Sequence, residues 1–130
     1  MAQPQVVSTN RAPAPLPQFS QAVKYNGMVY CSGNIGLAPS TAKLVGGTVK
    51  DRTRQTLRNL SVILEAAGSS LRNVVKMNIF LTTMDNFALM NEAYDEFFVW
   101  ETKPCRTCVA VYQLPFGTDV EIECIAFENK

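Results

Sequence analysis

An α+β fold, one sheet carrying two helices on one face, is what this chain of 130 residues predicts. Three observations predict it. Short apolar runs follow the order β, β, α, β, α, β, β along the chain; two helical segments are too few to cover both faces of a sheet; and 47% hydrophobic with 18% charged residues is the balance of one compact domain. A chain of this size folds to a surface of about 6,800 Å² from about 21,000 Å² unfolded, which buries a core without metals or disulfides. Residues 1–130 therefore read as a single domain, with residues 1–19 as an extended N-terminal arm.

Each element has its own signal. Gln5 to Ser8 can add a strand to the arm, and Ala12 to Gln18 places three prolines in seven positions, which excludes a regular helix. Ala22 to Tyr25 and Met28 to Cys31 flank Asn26-Gly27, the pair that a type I′ hairpin turn favours. A loop from Ser32 through Gly47 leads to Thr48, which with Asp51 offers a capping box. Leu57, Leu60, Ile63, Leu64 and Ala67 fall at helical spacing, and Gly68 suits a left-handed helix end. The other face of that helix carries Arg52, Arg54, Arg58 and Asn59. Val74 to Leu81 reads as a strand, Met84 to Phe98 as a second helix capped by Thr83, and Arg106 to Tyr112 and Val120 to Phe127 as two more strands around the turn Leu114 to Thr118.

Alternation in the last strand sends Val120, Ile122, Cys124 and Ala126 to a helix-covered core, and Asp119, Glu121, Glu123, Ile125 and Phe127 the other way. The Arg106 strand, read as its partner, alternates Arg106, Cys108 and Ala110 against Thr107, Val109 and Val111. Apolar groups on an uncovered sheet face predict burial against further copies of the chain, a homo-oligomer.

Twelve Lys and Arg balance eleven Asp and Glu for a net charge of +1, scattered without a basic run, which argues against nucleic acid as a partner. No apolar stretch approaches the roughly 20 residues that cross a bilayer. Met1 to Phe19 lacks both a secretory core and an Arg-rich leader, so the expected location is cytoplasmic, away from membranes. Cys31, Cys105, Cys108 and Cys124 are expected to be reduced and mostly buried. The chain has no histidine, which removes Ser-His-Asp and Cys-His catalysis and the commonest zinc ligand. Cys105 and Cys108 match C-x-x-C, but on a strand they face opposite ways, and no metal or cofactor is expected.

The remaining candidates each carry two readings. Asn91 lies within the apolar stripe Phe87, Met90, Tyr94, Phe97 and Phe98, either as a structural amide or as part of a ligand cleft. Arg106 follows Pro104 at a strand start; it either pairs with Glu121 or Glu123 or grips a substrate carboxylate. Glu121 and Glu123 are structural charges, or one is a carboxylate raised enough in pKa to move protons. Ser32-Gly33 is a turn signal that can also offer a hydroxyl and a close backbone approach.

Taken in order, Ala12-Pro13-Ala14, Phe19-Ser-Gln-Ala-Val23, Val29-Tyr-Cys-Ser-Gly33, Leu64-Glu-Ala-Ala-Gly-Ser-Ser70, Asn73-Val-Val-Lys76, Met84-Asp-Asn-Phe87, Asn91-Glu-Ala-Tyr-Asp-Glu-Phe-Phe98, Pro104-Cys-Arg-Thr-Cys108, Leu114-Pro115 and Val120-Glu-Ile-Glu-Cys-Ile-Ala126 resemble one family nearly end to end. It is the RidA family, the YjgF-like reactive enamine/imine deaminases. The resemblance implies a chorismate-mutase-like sheet with two helices, assembled as a homotrimer with ligand clefts between subunits. It implies hydrolysis of 2-iminobutanoate, 2-iminopropanoate and their enamines, released by pyridoxal-phosphate dehydratases, to a 2-keto acid and ammonia.

By the same resemblance Arg106 binds the substrate carboxylate and Glu121 positions water or carries its proton. Cys108 and Gly33 offer backbone contacts, Ser32 a hydroxyl, and Asn91 stands close by. Branches of the family without the arginine lack deaminase activity, so Arg106 places this chain with the active ones. Two positions depart: Phe19 stands where active members usually have Tyr, and Asn34 follows Ser32-Gly33 where they usually have Gln. Phe19 removes one donor from the cleft and favours imines with a larger side chain. The competing readings are a non-catalytic module that binds small carboxylates or keto acids, an endoribonuclease or translation inhibitor, and a chaperone-like surface.

Overall fold

The computed structural model describes residues 3–130. Strands β1 (Gln5–Val7), β2 (Ala22–Tyr25), β3 (Met28–Asn34), β6 (Val74–Leu81), β7 (Cys105–Ala110) and β8 (Val120–Phe127) form a six-stranded sheet in the order β1-β2-β3-β8-β6-β7. Two short strands, β4 (Leu37–Ala38) and β5 (Lys43–Leu44), make a separate hairpin inside what reads as a loop. Helices α1 (Val49–Ala66) and α2 (Phe87–Asp95) pack together on one face of the sheet. All pairings are antiparallel except β6 with β7, which α2 joins as a crossover.

The local signals explain these elements. Asn26 and Gly27 both have positive φ, as the I′ turn between β2 and β3 requires. Thr48 accepts from Lys50 N while Asp51 accepts from Thr48 N, the reciprocal cap of α1, and Gly68 ends that helix at φ 77°. Leu57, Leu60, Ile63 and Leu64 of α1 pack with Met77, Ile79, Leu81, Val120 and Ile122 as the buried core. The alternation read from β8 holds: Val120, Ile122, Cys124 and Ala126 are buried, whereas Glu121, Glu123 and Ile125 are only partly covered.

Several expectations are corrected. The strand carrying Arg106 does not neighbour the one carrying Glu121, because β6 lies between them. It also ends at Ala110 rather than Tyr112, since β6 stops at Leu81, opposite Ala110, and the bond from Val111 N to the Leu81 carbonyl at 2.7 Å closes the ladder. The second helix is shorter than Met84 to Phe98. Residues Met84–Asn86 form a 3₁₀ turn closed by the Thr83 cap, and after Asp95 the chain turns so that Phe98 stacks on Tyr94 at 4.4 Å.

Asn59 is buried rather than on the polar face of α1; its amide donates to the carbonyls of Ile35 at 3.2 Å and Leu37 at 3.0 Å. Arg52 likewise turns inward, to a two-pronged pair with Asp119 at 2.7 and 2.8 Å. Both contacts fix loops against α1 that a helix wheel cannot show. Only Cys31 and Cys124 are buried, because they face the core, while Cys105 is exposed and Cys108 half-buried on the edge strand; all four are free.

Candidate functional site

Glu121 stands on the sheet face that the helices leave open, beside β3. A register shift between Cys31 and Asn34 turns Ser32-Gly33 toward it. Gly33 leaves room for that approach, since a Cβ there would displace the Glu121 carboxylate, with Cδ at 3.0 Å. Burial, and after it the charge of Glu123, pushes the Glu121 carboxyl above its ordinary value. Glu123 instead accepts from the Asn78 amide at 3.0 Å. The two carboxylates of this strand are thus differentiated: one is held by an amide, and the other is left partly desolvated with a raised proton affinity.

A cavity of about 500 Å³ opens over Glu121, with Ser32, Gly33 and Phe19 in its lining. Its walls come from distant segments: the arm around Pro13 to Phe19, the loop from Asn34 to Leu37, and Pro115-Phe116 before β8. Gln21 holds the arm in place. Its buried amide accepts from Thr9 N at 2.8 Å and donates to the carbonyls of Thr9 at 3.0 Å and Pro13 at 2.9 Å. Ser32 does not present a free proton to the cavity, because its hydroxyl donates to the Ser20 carbonyl at 2.6 Å. It ties the arm to β3 and keeps only acceptor capacity toward a ligand.

Arg106 belongs to a second pocket. Its register partner is Met77 and that of Cys108 is Ile79, both core residues, so the two side chains lie on the helix side of edge strand β7. Nη1 of Arg106 donates to the Asn91 Oδ1 at 2.8 Å, and its guanidinium carbon lies 4.9 Å from the Tyr94 ring centroid and 5.6 Å from that of Phe87. Neither Glu121 nor Glu123 pairs with it, and among the described residues it has no ion-pair partner. A cation positioned by one amide and two rings, with free donors remaining, is arranged for a planar anion. Burial pushes the Cys108 thiol up, against the opposing pull of Arg106, so the thiol stays protonated at neutral pH.

Within one chain the two pockets cannot meet on one small molecule. Glu121 is level with Phe80 of β6 and, through it, with Val109 of β7, three residues from Arg106. At about 4.8 Å between strands and about 3.3 Å per residue, the backbones are roughly 14 Å apart, with side chains on opposite faces of the sheet. Of the residues expected at the site, Phe19, Ser32, Gly33 and Glu121 are brought together, and Arg106, Asn91 and Cys108 form the other group.

Sequence reasoning missed Gln21, whose polar side chain beside Ala22 is a signal for a buried tether. It missed Asn78, a lone amide in an apolar strand, as the partner of Glu123. Tyr94 and Phe87 pack in or against the core as the apolar stripe predicts, and in addition they flank the Arg106 guanidinium, which the stripe does not show. Among the described residues no three His, Cys, Asp or Glu side chains come together as a metal would need, and no helix is long and apolar enough to cross a membrane.

Residues 9–128 match the family model described as endoribonuclease L-PSP. The chain is 50% identical over 113 residues to the mitochondrial protein mmf1 of Schizosaccharomyces pombe, covering 85% of this chain and 68% of that one. It is 43% identical over 124 residues to the 2-iminobutanoate/2-iminopropanoate deaminase of Mus musculus, covering 95% and 91%. Its fold superposes on a crystal structure of E. coli TdcF with bound serine at a TM-score of 0.90, with 37% identity and 96% and 99% of the chains covered.

Proposed function

The chain belongs to the endoribonuclease L-PSP family, that of the RidA and YjgF proteins it resembles, and from that premise we propose that it is an enamine/imine deaminase. Its substrates on this reading are small 2-imino acids, 2-iminopropanoate and 2-iminobutanoate, and its products a 2-keto acid and ammonia. One observation carries the reading: the Arg106 guanidinium is held by Asn91, Phe87 and Tyr94 and has no carboxylate of its own. The mouse relative is named for this reaction, and the E. coli relative holds serine, a molecule with the same carboxylate.

The chemistry asks little of the protein. Arg106 fixes the substrate carboxylate with paired hydrogen bonds, which places the adjacent imine carbon. An iminium carbon is already electrophilic, so water can add to it once a base takes the water's proton. Glu121 is that base; the desolvation that raises its pKa also raises its proton affinity. The adduct is a carbinolamine, and the proton on Glu121 then leaves with the amine nitrogen as the C–N bond breaks and the carbonyl forms. The departing ammonia takes up the proton that the hydroxyl loses as the carbonyl forms, so the products are the 2-keto acid and ammonium, and Glu121 is again ionised.

Because Arg106 and Glu121 lie on opposite faces of one sheet, the working site takes Arg106, Asn91 and the Cys108 backbone from one subunit, and Glu121, Gly33 and Ser32 from the next. A homotrimer with three such clefts satisfies this and covers the half-exposed Tyr30, Val109 and Phe127. The compartment follows from the cell's dehydratases; the cytoplasm is the expected one.

The test generates the imine with a threonine/serine dehydratase and follows keto-acid formation with and without the protein. Free imines hydrolyse spontaneously, so the added rate is the readout. Acceleration should fall by about 10- to 150-fold in kcat/KM in Arg106→Ala, as an Arg–carboxylate contact of about 1.5–3 kcal/mol implies. No acceleration by the wild type would overturn the deaminase reading.

A further inference from the structure

We propose that the cleft selects 2-imino acids with a large apolar side chain, and that Phe116 is the residue that selects them. The inference rests on the deaminase reading for its reaction, but it concerns the part of the cavity that the reaction leaves empty. Before the next subunit closes it, the cleft of a single chain has about 500 Å³, within the range of roughly 300–1,000 Å³ that takes drug-sized ligands and more than an imino acid of three or four carbons fills. The polar side chains of its lining, Glu121, Glu123, Ser32, Asn34 and Gln21, come from β8, from β3 and from the residue before β2. The remainder is apolar and includes Leu16, Phe19, Ile35, Leu37, Pro115 and Phe116.

Phe116 is the unusual member. It is 67% exposed, and its backbone lies at φ 62°, ψ 11°, a left-handed conformation that suits Gly or Asn and strains a bulky residue. The exposed ring is unfavourable in the isolated chain. Gly117 follows at φ 69°, and the turn is closed by Gly117 N to the Leu114 carbonyl at 3.2 Å, so the backbone that carries the ring at the cavity wall is fixed. Leu16, 61% exposed, and Phe19, 46% exposed, line the same cavity. An aliphatic or aromatic substrate side chain, directed away from the carboxylate end, would cover all three.

The experiment uses the wild type and Phe116→Asn, a substitution that tolerates the left-handed backbone and removes the ring. Imines of alanine and leucine are made in situ by an amino-acid oxidase, and the ratio of their accelerations is measured. In parallel, the affinities for pyruvate and 4-methyl-2-oxopentanoate are measured by calorimetry. Wild type should favour the leucine-derived imine by about tenfold in kcat/KM, the low end of what one methylene can discriminate in an apolar pocket. Phe116→Asn should bring that ratio close to one. A wild-type ratio at or below one, or an unchanged ratio in the variant, overturns the proposal. If neither imine is accelerated, the deaminase reading fails and the keto-acid affinities decide: tighter binding of the longer acid, lost in Phe116→Asn, supports the selective cleft, and equal affinities overturn it.

Discussion

The Arg106 pocket and the Glu121 cleft sit on opposite faces of the same sheet and are assembled in opposite ways. The first is local: Asn91 and Arg106 are 15 residues apart, joined by the crossover from α2 to β7, and the aromatic rings come from the same helix. The second gathers an arm, a bulged strand, a loop and a turn from both ends of the chain around one carboxylate. On the proposed function a substrate carboxylate needs a rigid, charged anchor, and helix packing on an edge strand would supply it. Water activation needs a desolvated acid, and only segments closing over the open face provide that. The Arg106 pocket, the proposed anchor, is set by secondary structure, and the Glu121 cleft, the proposed base, by tertiary closure.

The comparison predicts unequal responses to substitution. The largest belongs to the base: Glu121→Gln should lower kcat by about 10²–10⁴, the range of a lost general base, with little change in KM. The same variant should unfold at a higher temperature at neutral pH. With its folded pKa raised above the unfolded value, Glu121 contributes stability that is fully present below the unfolded pKa and lost as pH rises through the folded one. The ionised carboxylate is therefore a cost at pH 7, and the gain in Tm should fade on acidification. A Tm below wild type at pH 7 would mean that Glu121 is held by stabilising contacts instead.

A smaller effect is expected at the anchor's support. Asn91→Ala removes one hydrogen bond to a charged group and should raise KM about tenfold while kcat changes less. An equal loss in kcat would place Asn91 with the reacting atoms rather than behind Arg106. The smallest effect is a displacement in pH. The charge of Glu123 adds to the raised pKa of Glu121, so the acid limb of kcat should lie above the ordinary glutamate range and move down in Glu123→Gln. A limb that stays put would leave burial as the sole cause.

Legibility in the sequence divides along the same line. Asn26-Gly27, the Thr48 to Asp51 cap, Gly68 and the alternation of β8 are local rules, and each is met in the structure. Arg106, Asn91 and Glu121 could be singled out because a charged or amide side chain in an apolar pattern is conspicuous. That they occupy different faces could not be read, since the parity of β7 relative to β8 depends on β6 lying between them in parallel register with β7. The buried roles of Asn59, Arg52 and Gln21 were hidden for the same reason. Their partners, Ile35, Leu37, Asp119 and Thr9, are brought near by the sheet and not by the local chain.

The central claim is that a working site joins Arg106 of one subunit to Glu121 of another. Co-expressing Arg106→Ala and Glu121→Gln chains tests it directly. Each variant alone should keep only a small fraction of the wild-type rate, whereas the co-expressed population should regain roughly a quarter of it, because random pairing leaves that share of all clefts with both residues intact. A mixed assembly as inactive as its parents would contradict the account and return the whole site to a single chain.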